Sequence, residues 1–367
     1  MQREVVQHPY DTDDRALLDI ACMPDIDINL ILPNVSATLH GTGFLFGAGT
    51  SYEAGYPMMS DLTDAVVGGL TAGERAVMDE VLVANGATYD PATTSPNIEV
   101  LSDMVIAHHI NSGAARFADL EKRFRSLIVE CLHGVAAINL DHHCQFMEAL
   151  ARRAFGNACT VWIFTTNYDP LFELAAARCG VTLENGFVGS IQRFFAPGTF
   201  EHSVGRVTSR QFIVSRKLTV KLVKLHGSIT WVQDGAKIYE THPAAIDPAS
   251  TRTMVLPRRR KVVDVLGNPY DRLFQQMSRV LGSECKYLAS CGFSFSDEHI
   301  NDSLLMPVMA TGACKLFALS QNETVGMAPF KVMPNFGAGF DADSVIGGVA
   351  NVARTDLWKF SEFVKIF

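Results

Sequence analysis

The sequence feature that most constrains the fold is a set of short apolar runs that each end in small or polar residues. The first run, Thr42–Phe46, leads directly into the glycine-rich turn Gly47–Ser51. Four further runs share this pattern: Cys159–Phe164, Thr219–Leu225, Lys286–Cys291 and Cys314–Leu319. Short apolar runs bounded by turn residues predict buried strands. Strand ends of this kind are typical of an open parallel sheet whose functional site lies at its carboxyl edge.

A helical pattern follows the first of these runs. From Ser60 to about Phe155, apolar residues recur three and four positions apart with charged residues between them, as they do in amphipathic helices. We therefore predict an α/β protein with a Rossmann-like open parallel sheet and helices on both of its faces. The predicted units are an N-terminal extension over 1–40, a sheet domain over 41–59 and 156–367, and a helical insertion over 60–155.

Cysteine spacing and hydropathy limit the class of protein further. The chain has 8 cysteines but no C-x-x-C pair, the spacing that structural zinc sites use. We therefore expect reduced thiols, no zinc module and no metal. The sequence also has no run of about 18 apolar residues, so we expect a cytoplasmic protein without a membrane partner. Its hydrophobic fraction of 48% favours a homo-oligomer with apolar surface at the subunit interface.

The charge of the chain limits its partners. The net charge is -8 and the pI is near 5.8, so the molecule as a whole does not attract nucleic acid or an anionic membrane. One dense basic run, Arg258–Lys261, departs from this balance. It could contact nucleic acid, a cofactor phosphate or an acidic partner surface, and a solvated loop is the simpler interpretation.

Three of the strand ends carry residues suited to chemistry. The glycine-rich turn lets the backbone approach a pyrophosphate, with helix amides from about Thr50 directed at the anion, although a purely structural turn is equally consistent. Asn167 and Asp169 can fix a carboxamide or a water, but Asp169 followed by Pro170 also predicts a helix cap. The imidazole of His226 suits a general base near neutral pH, and a structural role is the alternative.

Taken together, these segments resemble the sirtuin superfamily. Three motifs carry the resemblance: Gly47–Ser51, Thr165–Asp169 and Leu225–Ser228. It implies that NAD is the substrate and that its binding residues lie at the strand ends: Gly47, Ala48, Gly49, Ser51, Thr166, Gly292, Ser294 and Asn322. It also implies that Asn167 and Asp169 face the nicotinamide ribose and the carboxamide, and that His226 is the catalytic base.

Two departures separate the chain from the protein deacylases of that superfamily. Met58–Ser60 replaces the aspartate, aromatic residue and arginine that follow the matching proline in deacylases, and the zinc-binding cysteine pairs are absent. The segment Gly292–Asn301 and the helical insertion instead resemble the sirtuin-like NADase domains of bacterial anti-phage systems. The expected activity is hydrolysis of NAD to nicotinamide and ADP-ribose, which depletes NAD during infection.

Alternatives to hydrolysis stay open at this point. The chain could be an NAD-dependent protein deacylase, or a non-catalytic subunit that binds NAD or ADP-ribose within a defence complex. The resemblance also implies a HerA-type ATPase or translocase as a partner. We interpret Asp297, Glu298 and His299 as a capped, acidic first helical turn rather than as part of the site.

Overall fold

The structure is a computed structural model that describes residues 39–242, 251–254 and 268–367. Most of the predicted extension over 1–40 and the whole basic run Arg258–Lys261 lie outside the described residues. The described chain forms a mixed α/β fold around one large sheet. This confirms the predicted fold class.

Nine strands of the described chain form the large sheet. Its strands are β1 (Thr42–Phe46), β2 (Cys159–Thr165), β3 (Thr182–Glu184), β8 (Leu218–Lys224), β12 (Tyr287–Cys291), β13 (Lys315–Leu319), β14 (Phe336–Gly339), β15 (Ser344–Ile346) and β16 (Val349–Asn351). They are arranged in the order β16-β15-β14-β13-β12-β1-β2-β8-β3. Every neighbouring pair from β3 to β14 is parallel, whereas β15 and β16 add an antiparallel edge.

The five predicted strands are all present, and their ends differ from the predictions by at most one residue. Strand β1 lies between β2 and β12, with Phe46 level with Thr165 on one side and Cys291 on the other. The carboxyl ends of these strands therefore meet at one edge of the sheet, as the sequence predicts.

Helices cover both faces of the sheet. In chain order they are α1 (Gly49–Tyr52), α2 (Met59–Gly68), α3 (Ala72–Ala84), α4 (Ile98–Ser112), α5 (Ala115–His133), α6 (Asp141–Arg153), α7 (Leu171–Arg178), α8 (Tyr270–Val280), α9 (Glu298–Ile300), α10 (Met306–Ala310) and α11 (Phe360–Phe363). Because successive strand residues point to opposite faces, Phe44 packs with Phe146 of α6, whereas Leu45 packs in the cluster that contains Leu273 of α8.

Helices α2 to α6 occupy the segment where the sequence predicts a helical insertion. Helices α2 to α5 share a core of their own, which includes Val66, Met78 and Phe124 and meets the sheet domain through Leu171 and Ile229. Helix α6 differs, because its apolar residues pack on the sheet. The limits of the predicted insertion remain a prediction.

A second, smaller sheet was not predicted. It contains β4 (Phe187–Val188), β5 (Arg193–Phe195), β9 (Gly227–Asp234), β10 (Lys237–Glu240) and β11 (Thr251–Met254), in the order β11-β9-β10-β5-β4. A separate hairpin pairs β6 (Gly205–Val207) with β7 (Phe212–Val214). Strand β9 begins directly after His226, so the two sheets meet at the candidate site. Among the described helices, none combines the length and apolarity needed to cross a bilayer.

Candidate functional site

A cavity of about 230 Å³ lies at the carboxyl edge of the large sheet, where β1, β2, β8 and β12 end. All but one of the residues predicted for the site line it: Gly47, Ala48, Gly49, Ser51, Thr166, Asn167, Asp169, His226, Gly292 and Ser294. Asn322 is the exception, because it lies beyond the end of β13 with its side chain exposed.

The turn after β1 packs directly against the turn after β12. The Gly47 amide donates to the Cys291 carbonyl at 3.3 Å, and the Gly49 amide donates to the Gly292 carbonyl at 3.1 Å. A Cβ on Gly49 would lie 2.7 Å from the Cα of Gly292, which itself has a φ of +65°. These positions therefore need glycine for contact between the two turns.

This packing changes the expectation for pyrophosphate binding. The amides of Gly47 and Gly49 are already paired, and those of Thr50 and Ser51 donate to the carbonyls of Gly47 and Ala48. Helix α1 has only 4 residues. The expected row of unpaired helix amides directed at an anion is therefore not what the structure shows, although the turn does line the cavity.

Asn167 ties the end of β2 to the glycine-rich turn. Its Nδ2 donates to the Gly47 carbonyl at 3.0 Å, to Thr50 Oγ1 at 3.2 Å and to Ser51 Oγ at 2.8 Å. Its Oδ1 is buried and accepts no hydrogen bond from the described part of the chain. Because buried acceptors are normally paired, this oxygen is suited to accept a hydrogen bond from a ligand.

Asp169 combines a capping contact with a contact inside the site. Its Oδ1 accepts from the Leu171 amide at 3.1 Å, and its Oδ2 accepts from Ser51 Oγ at 2.7 Å. Helix α7 begins at Leu171, one residue later than the sequence suggests, with Pro170 at its N-cap position. The prediction of Asp169 as the N-cap residue is therefore wrong, since Pro170 holds that position. The Asp169 carboxylate still contacts the first helical amide and also anchors the glycine-rich turn.

A buried lysine beneath this segment was missed by the sequence analysis. Lys224, the last residue of β8, is 1% exposed. Its ammonium group donates to the carbonyl of Asp169, to that of Tyr168 at 3.5 Å, and to Glu173 Oε1 at 3.2 Å. Burial raises the pKa of Glu173, and the charge of Lys224 opposes that shift. Lys224 thus holds the backbone that carries Asp169.

His226 follows β8 and meets two residues that sequence reasoning had placed outside the site. Its Nε2 lies 3.1 Å from Nε2 of His299 and 3.9 Å from Oδ1 of Asp297. Both imidazoles are buried, and Asp297 lines the cavity. The Asp297 side chain accepts no hydrogen bond from the amides of helix α9, which it precedes. The expected helical turn is therefore present, but the Asp297 side chain does not cap it.

These three side chains are also the group in the described chain that could hold a metal ion. One donor atom from each of His226, Asp297 and His299 lies within 4.8 Å of the other two. Imidazole nitrogen and carboxylate oxygen suit ions such as Zn²⁺. The sequence analysis did not anticipate this cluster, since its members come from different strand ends.

Residues from the segment that contains helices α2 to α5 close one side of the cavity. Tyr56, Leu62, Glu99 and Leu132 contribute side chains from the segment between β1 and β2. Burial, together with the charges of Asp169 and Glu173, raises the pKa of the Tyr56 phenol. This hydroxyl therefore stays protonated at neutral pH and can serve as a hydrogen-bond donor.

A second, more open cavity of about 730 Å³ adjoins the first. The two cavities share five lining residues: Gly49, Met58, Gly292, Phe293 and Ser294. Trp358 and Gln321 lie along the open cavity. Ligand sites for small molecules usually measure about 300–1,000 Å³, so the joined cavities fit an elongated ligand with one deeply buried end.

A family model described as a SIR2-like domain matches residues 161–324. No curated protein matches. One similar solved structure is a triple mutant of Sir2 homologues in complex with 2'-O-acetyl ADP-ribose, with 14% identity, a TM-score of 0.41, and coverage of 97% of this chain and 96% of that chain. Another is Sir2Tm bound to a propionylated peptide, with 13% identity, a TM-score of 0.39, and coverage of 97% and 98%.

Both TM-scores lie below 0.5, so the family evidence rests on the domain match. The matched residues include Asn167, Asp169, His226 and the segment Gly292–Asn301, whereas the turn Gly47–Ser51 precedes them. The matched region thus supplies the part of the cavity that follows β2, β8 and β12, and residues between 47 and 132 line the rest.

Proposed function

We propose that this protein binds NAD in the joined cavities and hydrolyses the bond between nicotinamide and ribose. The observation that carries the proposal is the convergence of Asn167, Asp169 and His226 on one buried cavity that opens into a larger one. The nicotinamide end would occupy the small cavity, and the ADP-ribose part would extend into the open cavity. The products would be nicotinamide and ADP-ribose.

Each of the three residues has a proposed role that its contacts support. The buried Oδ1 of Asn167 would accept a hydrogen bond from the attacking water or from a ribose hydroxyl. Asp169 would hold the carboxamide through the lone pairs that its two contacts leave, since each carboxylate oxygen can accept two hydrogen bonds. His226 would take up the proton of the water.

The reaction needs no group beyond NAD and water. The electron pair of the glycosidic bond moves to the pyridinium nitrogen, which leaves as neutral nicotinamide, and an oxocarbenium-like centre develops on the ribose. Water forms the new bond to that carbon and loses a proton to the imidazole. A cavity that is walled by protein on the nicotinamide side strengthens these electrostatic contacts, since bulk solvent screens them less there.

The direct test is incubation of the purified full-length chain with NAD, followed by chromatography of nicotinamide and ADP-ribose. We expect equal amounts of both products, and about 10²–10⁴-fold slower release of both from the His226→Ala variant. Tight NAD binding without product, in the presence or absence of candidate partners, would overturn hydrolysis in favour of the scaffold function.

One observation favours an NAD-dependent deacylase as the second candidate. An apolar groove of about 930 Å³ lies beside the small cavity and shares Tyr56 and Leu132 with it. Such a groove could accept an acylated lysine side chain and the peptide around it. Nicotinamide release that requires an acyl-peptide would establish this function, and release from NAD alone would exclude it as the main activity.

The proposed biological role is NAD depletion in bacterial anti-phage defence, in a homo-oligomer that pairs with a HerA-type ATPase or translocase. Its support is the resemblance of Gly292–Asn301 and of the helical insertion to defence NADase domains. Cellular NAD should fall after infection in cells that express the wild-type chain. The NAD level should stay constant in cells that express His226→Ala. Co-purification of differently tagged copies of this chain would test the homo-oligomer, and co-purification with the ATPase would test that partner.

A further inference from the structure

The imidazole of His226 is held in a row of four rings. Its centroid lies 5.2 Å from that of His299, with an interplanar angle of 25°, and 6.4 Å from that of Tyr168. His299 in turn lies 5.4 Å from Phe274, at 27°. Both histidines are 2% exposed. This packing leaves little freedom for either imidazole to turn.

The two histidine rings meet through their nitrogens rather than through their faces. Their Nε2 atoms are only 3.1 Å apart, while the centroids are 5.2 Å apart and the planes are nearly parallel. The rings therefore lie edge to edge, as in an N–H···N hydrogen bond. Two lone pairs or two N–H groups at this distance would repel each other, so one nitrogen donates and the other accepts. The tautomer of each ring thus fixes that of the other.

Asp297 supplies a negative charge to this pair. Its Oδ1 lies 3.9 Å from Nε2 of His226, and its side chain is 13% exposed. The carboxylate therefore lies within electrostatic reach of the imidazole that takes up the proton. The arrangement of a base, a group that orients it and a third group behind them is common in enzymes that take up a proton from a hydroxyl group.

We propose that His299 is a positioning residue for His226, and that the two imidazoles together with Asp297 form one unit for proton uptake. This inference rests on the proposed function and extends it to two further residues. In the step concerned, an O–H bond of the attacking water breaks while its oxygen bonds to the ribose carbon. The released proton joins the imidazole pair, which then carries one positive charge opposite the carboxylate of Asp297.

The test compares His299→Ala with His299→Gln, whose amide oxygen can still accept a hydrogen bond from Nε2–H of His226 and so leave the other ring nitrogen free to take up a proton. Relative to the wild-type chain, His299→Ala should lower kcat for NAD cleavage by roughly tenfold to a hundredfold, part of the about 10²–10⁴ that general-base catalysis supplies. KM should change little, since His299 does not line the cavity. His299→Gln should recover most of the lost kcat.

His143→Ala is the matched control, because His143 is also a buried histidine but lies among Phe172 and Phe360, away from the cavity. It should lose stability without a specific loss of kcat. Equal losses of kcat in His143→Ala and His299→Ala, or a His299→Gln variant as slow as His299→Ala, would overturn the positioning role.

A readout independent of turnover separates this inference from the proposed function. With ¹⁵N-labelled histidine, NMR should show one protonated and one unprotonated Nε2 in the pair, and His299→Ala should change the shifts of His226. A wild-type chain that cleaves no NAD overturns the proposed function and the catalytic part of this inference, while the shifts still decide whether the pair forms. A stoichiometric metal bound to both Nε2 atoms in the purified protein would overturn the hydrogen-bonded pair.

Discussion

Two polar segments follow β2 and β12, the strands on either side of β1. Their polar side chains differ in the groups that they contact. The segment Asn167–Asp169 after β2 uses nearly all its polar atoms on the protein itself, through the glycine-rich turn, helix α7 and Lys224. The segment Asp297–His299 after β12 leaves its helix without a side-chain cap and directs His299 to His226. An aspartate before a short helix can therefore serve the fold in one place and the site in another.

Both aspartates line the proposed site, but this difference predicts unequal effects of their loss on stability. Asp169 is tied into the scaffold by two hydrogen bonds, so its loss should be felt in unfolding experiments. Asp297 lies beside a catalytic candidate, so its loss should be felt in turnover. Four substitutions test this contrast, beginning with the largest expected effect.

Replacement of His226, which the segment Asp297–His299 contacts, should have the largest effect on the rate of NAD cleavage. His226→Ala should lower NAD cleavage by about 10²–10⁴-fold, the range expected for removal of a general base. The circular dichroism spectrum and the unfolding midpoint should show that the fold is kept. Activity within twofold of wild type would contradict the assignment of the base.

Replacement of Lys224, which holds the backbone of the segment Asn167–Asp169, should have the largest effect on stability. Lys224→Met removes the buried ammonium and leaves Glu173 without its partner, which typically costs about 3–5 kcal/mol when a buried ion pair is broken. Urea unfolding measures the loss. The matched control is the double variant Lys224→Met/Glu173→Gln, which removes both charges and should recover part of the free energy of unfolding. No recovery would mean that the carbonyl contacts, rather than the ion pair, dominate.

Asp169→Ala should have an intermediate effect on stability. It leaves the Ser51 hydroxyl and the Leu171 amide without their acceptor, which costs about 1–3 kcal/mol for buried groups. Asp169→Asn keeps an oxygen for the Leu171 amide and should lose less. If Asp169→Ala unfolds at the same urea concentration as wild type, the contrast between the two segments fails.

Asp297→Ala should have the smallest effect on stability, less than about 1 kcal/mol, because no helix amide loses a capping acceptor. Its kcat should nevertheless fall, since the imidazole pair loses its counter-charge. The same urea and NAD assays applied to Asp297→Ala and Asp169→Ala give the comparison directly. A larger stability loss for Asp297→Ala than for Asp169→Ala would falsify our explanation of the difference.

Much of the fold was predictable because buried strands leave a local signal. The five predicted strands are central and apolar, whereas β4 and β5 of the small sheet have only two or three residues. Strands this short have little periodicity to recognise. Strand β9 is longer and mostly buried, but its first residues were interpreted as the polar strand end after β8.

The site was predictable in part for the same reason. Asn167 and His226 follow strong strands directly, so their position at the sheet edge follows from the topology. His299 also follows a strand end, but its contact with His226 joins residues 73 positions apart, and the local pattern of Asp297 and Glu298 suggested a helix start. The position of Asp297 and His299 shortly after the end of β12 was the sequence signal that could have placed them at the site.

The central place of β1 has a consequence for how the chain folds. Phe46 pairs with Thr165 and with Cys291, so the middle of the sheet joins residues that are far apart in the chain. Folds dominated by such distant contacts form slowly, because loop-closure entropy must be overcome before the contacts stabilise the chain. On the ribosome, β1 cannot complete its pairing until β12 has emerged, whereas helices α2 to α5, which share a core of their own, can form earlier. The edge of the sheet that carries the candidate site should therefore be among the last parts of the molecule to assemble during synthesis.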